Sequence, residues 1–216
     1  LLKATSELSG TDAPSLADLA LRKPGRRLHV YDTQAPFYFL QCSYPLPDLL
    51  RKTGWVSVTV SQYKPEMAPG APISAGVVNQ NLEALTFADA SLDIVVTSDV
   101  MEHVRLDQQA HREIHRVLRP GGIYIFTVPH DLSREDTLVR VKVHDPVDPS
   151  KDEHLLEPEY HGDANGDGSG VLAYRMYGRE LVRELEGLGF QVEYTRADMP
   201  GSAILNTELF YCRKVA

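Results

Sequence analysis

Two apolar runs do most to limit what this chain can become. LDIVVTS (92–98) and GIYIFTVP (122–129) are nearly continuous in β-branched and aromatic residues, where a strand with one wet face would alternate. Such strands are covered on both faces. Between them lies LDQQAHREIHRVLRPGG, in which Ala110, Ile114, Val117 and Leu118 fall at i, i+4, i+7 and i+8, the apolar stripe of a helix packed on a sheet. Strand, helix, strand is the signature of a parallel βα unit, and Pro120 with Gly121–Gly122 is expected to stop the helix.

The same alternation runs along the chain. LHVY (28–31) reads as a first strand, WVSVTV (55–60) as a second and GVVNQ (76–80) as a weaker third, with the two runs above as fourth and fifth. GRELVRELEGLGF turns Leu181, Leu185 and Leu188 inward on a helix ended by Gly187 and Gly189. FQVEYTR (190–196) and ILNTELFYCRKV (204–215) are two further strands. At 216 residues the chain has room for one sizeable core and is short for two, so one domain over 1–216 is expected. Residues 130–178 break the pattern, with Pro146, Pro149 and Pro158, many acids and GDANGDGSG. An irregular segment of this length is a functional lid, a binding loop or a disordered insert, and a lid over the acceptor site is expected.

Charge narrows the partners. A formal net charge of −8 argues against a nucleic-acid backbone, which needs a basic stripe. The basic clusters at 22–27 and 112–119 have acids interleaved or close by and read as solvated surface. No run approaches the roughly 20 apolar residues that span a bilayer, and LLKATSELSG lacks signal-peptide architecture. Cys42 and Cys212, far apart in sequence, read as reduced, buried thiols, which implies a reducing, cytoplasmic setting. Nothing in the sequence sets the oligomeric state.

Two motifs invite metal readings that their details oppose. In HREIH (111–115) Glu113 sits about 200° around the helix from either histidine, away from any ion they would share, so a solvated helix edge is expected. DANGDGSG (163–170) places Asp163, Asn165, Asp167 and Ser169 at alternate positions, as a calcium loop does, but Leu172 stands where the bidentate glutamate belongs. No resident metal is expected from either.

The span NLEALTFADASLDIVVTSDVMEHVRLDQQAHREIHRVLRPGGIYIFTVP (81–129) resembles the middle of a class I S-adenosylmethionine-dependent methyltransferase of the methyltransferase type 11 kind. HLLEPEYHGD (154–163) resembles, more narrowly, a bacterial subgroup often associated with glycan-synthesis enzymes. The resemblance implies a Rossmann-like, seven-stranded, mostly parallel α/β sheet with helices on both faces and its last strand antiparallel. It also implies S-adenosylmethionine bound at the carboxyl ends of the first four strands, where open α/β sheets hold ligands.

Carried over residue by residue, the resemblance puts Asp32 near the methionyl ammonium. Gln62 stands where an acid usually takes the ribose hydroxyls, Asn81 and the Leu82 backbone meet the adenine, and Ser98 and Asp99 face the methionine portion. The first turn, YDTQAPFYFL (31–40), contains no glycine. A cofactor without a phosphate constrains that turn less, so Thr33 and Gln34 would contribute side chains there together with Asp32. His103, His130 and His161 are the candidates for a general base, and Tyr160 for acceptor binding, since deprotonating a hydroxyl suits a group titrating near neutrality. The implied activity is methyl transfer to a small-molecule or glycan hydroxyl. The alternatives are a cofactor-free binding or scaffolding domain, attached to a glycosyltransferase, and a nicotinamide oxidoreductase. The latter would want a glycine-rich phosphate turn that this chain lacks.

Overall fold

Alternation inside the buried strands divides the core in two. A computed structural model describes residues 1–11, 16–21, 26–33, 50–162, 170–199 and 204–215. Its helices are α1 (Leu2–Ser9), α2 (Leu16–Leu21), α3 (Asp107–Val117) and α4 (Glu180–Gly187). The main sheet is built from β1 (Leu28–Asp32), β2 (Val56–Gln62), β3 (Pro72–Ser74), β4 (Val77–Asn79), β5 (Leu92–Ser98) and β6 (Leu118–Thr127), with two long strands near the C-terminus. Between β6 and those strands come six two-residue strands, β7 (Leu138–Val139), β8 (Val141–Lys142), β9 (Glu153–His154), β10 (Tyr160–His161), β11 (Val171–Leu172) and β12 (Arg175–Met176). The final pair is β13 (Phe190–Met199) and β14 (Ile204–Lys214).

Tyr31, Val95, Tyr124 and Phe126 point to one face, where they meet Ala110, Ile114 and Val117 of α3 and Leu181 and Leu185 of α4. Val30, Ile94, Val96, Ile123 and Ile125 point to the other, with Ala4 of α1 and Leu19 of α2. Side chains one residue apart lie on opposite faces of a strand, so a continuous apolar run supplies both layers at once.

The sheet runs β13-β14-β6-β5-β1-β2-β4-β3. β5, β6, β1, β2 and β4 are mutually parallel, and β14 is antiparallel to both of its neighbours. The seven expected strands are present, and the short β3 adds an eighth, antiparallel, at the edge beside β4.

Helix α3 stops at Val117, and β6 begins at once with Leu118, so Arg119-Pro120-Gly121 belong to the strand and not to a helix-stopping loop. Gly122 is required there. A Cβ on it would come within 2.8 Å of the Arg119 carbonyl and 3.2 Å of the Asp93 carbonyl, where β5 and β6 shift register. Asp93 itself is buried (1% exposed) and accepts from the His29 backbone N–H (2.8 Å) and Arg119 (2.6 Å). It thereby pins the starts of three strands.

The described residues of 130–178 are mostly irregular, with six two-residue strands. β7 pairs with β12, β8 with β9 and β10 with β11, three small antiparallel ladders. Arg105 fastens the segment to the loop after β5. Its guanidinium grips both Asp152 carboxylate oxygens (2.6 and 2.7 Å) and the carbonyls of Asp145 (2.5 Å) and Pro146 (2.8 Å). No single alternating run signals such a structure, because each strand is two residues long.

Candidate active site

Strand register brings four carboxyl ends together. Asp32 ends β1 between Val60 of β2 and Val96 of β5, Gln62 ends β2 beside Asn79 of β4, and Ser98 ends β5 beside Thr127 of β6. Asp32 is buried (4% exposed), and the backbone N–H of Thr33 continues the ladder to the Val96 carbonyl (3.1 Å). The Thr33 hydroxyl is buried without a hydrogen-bond partner among the described residues. Gln62, Asn81 and Ser98 are half-buried, Leu82 is buried and Asp99 is exposed. Gln34 lies outside the described residues.

Asn81 holds a local turn. Its Oδ1 accepts from the Glu83 backbone N–H at 2.9 Å, which leaves a second lone pair and the whole amide NH2 for a ligand. Its neighbours Asn79 and Gln80 are buried for structural reasons. Asn79 binds the backbone of Lys64 and Met67 (2.8–3.0 Å), and Gln80 closes on Thr86. Asp99 adopts a left-handed backbone (φ 49), costly for a residue with a side chain, and its N–H is held by the Thr127 carbonyl at 3.0 Å. A buried carboxylate, an unsatisfied hydroxyl and half-buried amides at one strand edge suit a ligand with ammonium, hydroxyl and adenine groups.

A second constellation follows on the same edge. After β5 the chain makes a 3-10 turn, Met101–His103, fixed from below by Arg175. That guanidinium donates to the carbonyls of Met101 (3.2 Å), Val104 (2.6 Å) and Arg105 (3.0 Å), while Tyr177 also donates to Met101 (3.1 Å). The turn buries Glu102 completely, and among the described residues neither of its carboxylate oxygens has a hydrogen-bond partner. His103 Nε2 lies 3.7 Å and His161 Nδ1 3.9 Å from Glu102 Oε1, and the two rings meet edge-to-face at 5.1 Å.

Burial pushes the Glu102 carboxyl up to about 7. Its own backbone N–H lies close enough to ease that cost without reaching hydrogen-bond geometry, and Asp99 adds to the rise. Burial lowers His103, with the Leu172 carbonyl opposing. The sequence reading named both histidines without their glutamate. The signal was present in the adjacency of Glu102 and His103, but nothing local shows that a residue 58 positions further on returns to them.

The other histidines separate from this group. His130 donates from Nδ1 to the Val128 carbonyl (2.8 Å), and its Nε2 faces the Tyr194 hydroxyl (3.1 Å) and Glu208 (3.2 Å) on β13 and β14. Both nitrogens are engaged away from the Glu102 cluster. His111 is not on a solvated edge. It is buried (1% exposed) beside the stacked rings of Tyr124 and Phe126, each 5.9 Å away, because it shares the face of Ala110 and Ile114. Arg116 is likewise more than solvated surface: it clamps Glu113 and Asp89 (2.7 Å each) and the Leu85 and Phe87 carbonyls (2.9 Å each). Cys212 is a buried thiol, whereas Cys42 and positions 163–169 of the calcium-like loop lie outside the described residues.

A model of the methyltransferase domain family matches residues 46–126. A probable S-adenosylmethionine-dependent methyltransferase of Mycolicibacterium smegmatis is 30% identical over 124 residues, 57% of this chain and 38% of the relative. Malonyl-[acyl-carrier protein] O-methyltransferase 1 of Coxiella burnetii is 26% identical over 158 residues, 67% of this chain and 56% of the relative. The chain thus spans well under two thirds of these curated relatives. Among solved structures, a putative S-adenosylmethionine-dependent methyltransferase from Listeria monocytogenes superposes with a TM-score of 0.53 over 100% of both chains at 12% identity. One from Mesorhizobium loti gives 0.51 over 93% of this chain and 96% of that one at 16% identity. At such identities the likeness is one of fold.

Proposed function

Because the chain belongs to the class I S-adenosylmethionine-dependent methyltransferases, we propose that it transfers a methyl group to a hydroxyl of a small-molecule or glycan acceptor. The observation that carries this reading is the shared strand edge. Asp32, Thr33, Gln62, Asn81 and Ser98 line it, Glu102 and His103 follow directly after β5, and His161 of β10 comes back beside them. S-adenosylmethionine, when bound, supplies a sulfonium methyl that an oxygen can displace in line.

The chain's part is positioning and proton removal. Asp32 and the Thr33 hydroxyl hold the amino-acid end with Ser98 and Asp99, Gln62 the ribose, and Asn81 with the Leu82 backbone the adenine. His103 Nε2 and His161 Nδ1 face the place where an acceptor hydroxyl must lose its proton. The hairpin β10–β11, which carries His161 beside the exposed Tyr160, forms the acceptor side of the site, and residues 130–178 act as its cover. The acidic balance of the chain supports an acceptor other than nucleic acid. A buried Cys212 thiol supports a reducing, cytoplasmic setting. Among the described residues no helix is long and apolar enough to cross a membrane.

Titration calorimetry with S-adenosylhomocysteine tests the reading. Asp32→Ala and Asn81→Ala should each weaken binding by about 1–3 kcal/mol, the usual cost of losing a buried hydrogen-bond partner. Gln62, lacking the charge of the usual acid, favours a second reading as a cofactor-free binding domain. Absence of heat with the folded wild type would select that reading.

A further inference from the structure

With Glu102 ionised, its cluster presents three acceptors to one another. His103 Nδ1 lies 2.9 Å from the Leu172 backbone carbonyl, and a carbonyl can only accept, so Nδ1 carries the proton and Nε2 presents a lone pair. His161 Nε2 lies 2.8 Å from the Glu159 carboxylate, which fixes that ring the same way and leaves Nδ1 as its lone pair. Those two free nitrogens are the ones facing Glu102 Oε1, at 3.7 and 3.9 Å. Glu102 is fully buried with both oxygens unpaired. Three lone pairs therefore converge, an arrangement that costs free energy unless a proton or a metal cation bridges them.

We propose that Glu102, His103 and His161 bind a divalent transition-metal ion. One ligand atom from each residue lies within 4.8 Å of the others. Around a metal with bonds of about 2.0–2.2 Å, adjacent ligand atoms sit about 3.4 Å apart, so the two measured separations need close by only a few tenths of an ångström. Two imidazoles and one carboxylate select zinc, iron or manganese over calcium or magnesium, which prefer oxygen.

The surroundings are those of a metal-binding pair of histidines. Each ring donates its other N–H outward, one to a carbonyl and one to a carboxylate, which orients the ring and raises its basicity. Glu159 is itself held by Arg140. The hairpin that delivers His161 is also tightly made. Gly170 has a left-handed backbone (φ 66), and a Cβ there would come within 2.9 Å of the Tyr160 Cβ. Three protein ligands leave positions open, and an acceptor hydroxyl bound at one of them would have its pKa lowered, so that the ion assists the proton removal. That last role rests on the proposed methyl transfer; the binding does not.

The test uses the metal-stripped chain and Co2+ alone, without cofactor or acceptor, read by visible absorption and by metal content after gel filtration. The wild type should bind one equivalent with the bands of a four- or five-coordinate ion. Glu102→Gln and His161→Ala should each lose that equivalent, and Glu159→Gln should weaken binding about 10–100-fold. His144→Ala, on the same segment but paired with Glu153, should bind as the wild type does. No bound ion in the wild type would overturn the proposal and leave a proton as the occupant of the cluster. One equivalent retained in a folded Glu102→Gln, His161→Ala double variant would overturn it by placing the ion elsewhere. Calorimetry with S-adenosylhomocysteine on the stripped chain reports separately, so failure of the transferase reading and failure of the metal site are distinguishable.

Discussion

Replacing His111 with leucine should stabilise the protein, and increasingly so in acid. Both ring nitrogens of His111 are buried beside the stacked Tyr124 and Phe126 with no hydrogen-bond partner among the described residues. An unsatisfied buried polar group costs about 1–3 kcal/mol. Leucine is close in volume and a better helix former, but it differs in shape from a planar ring, so the net gain near pH 7.5 is about 1–2 kcal/mol.

The pH dependence is sharper. Burial, helped by the Arg175 charge, drives the imidazole from 6.5 down to about 3. The folded state therefore keeps His111 neutral while the unfolded chain takes up a proton below pH 6.5. The unfolded state binds more protons, so stability falls as pH drops through 6.5 and goes on falling towards the folded value. At pH 5 the loss from this one residue is about 2 kcal/mol. Glu102 works in the opposite sense: its raised carboxyl disfavours the fold as pH rises from 4.5 towards about 7. That contribution is common to both proteins and cancels in their difference. Urea unfolding at pH 7.5, 6 and 5 would measure it. A wild-type-to-variant gap that fails to widen by about 2 kcal/mol from pH 7.5 to 5, or a folded-state imidazole titrating near 6.5 by NMR, would refute the argument, whatever the packing offset.

Three further outcomes are expected. Asp93→Ala should cost about 2 kcal/mol or more in chemical denaturation, because it strands Arg119 and an N–H of β1 at once; an unchanged midpoint would deny Asp93 its place as a strand pin. Arg105→Met should speed amide exchange over 145–152 while leaving β5 and β6 protected, since the guanidinium ties that stretch to the sheet side. Gln62→Glu should tighten S-adenosylhomocysteine binding in calorimetry by restoring a charge-assisted bond to the ribose, and a loss of affinity would show that this strand end meets the ligand differently.

The sheet was legible because its buried strands announce themselves. LDIVVTS and GIYIFTVP must serve two core faces, and no other element tolerates so many consecutive apolar residues. The α3 stripe was legible for the same reason, and Ala110, Ile114, Val117 and Leu118 are all fully buried. His111 was misjudged because a period of 3.6 places it between the stripe and the polar face, and only the neighbouring rings of Tyr124 and Phe126 decide which. The hairpins of 130–178 were hidden because two-residue strands carry no period, and their register depends on Arg105 and on turns distant in sequence. Of the catalytic candidates, His103 and His161 come together while His130 turns to β13 and β14. That sorting is set by the sheet order, which no local pattern encodes.

The sheet order also dictates when this protein can exist. β14 is inserted between β6 and β13, and among the described strands β13 has no other partner. On the ribosome, a nascent chain that has reached residue 199 therefore carries β6 with an open edge and β13 with nowhere to dock. Phe210 and Cys212, both fully buried, are still to be made. Until they emerge, the aromatic floor of Tyr124 and Phe126 is uncovered and adhesive, and the nascent polypeptide depends on chaperones or on speed to escape aggregation. The last of the described strands to be made must slot in between two others, so translation that halts just before it releases a sticky, unfinished product.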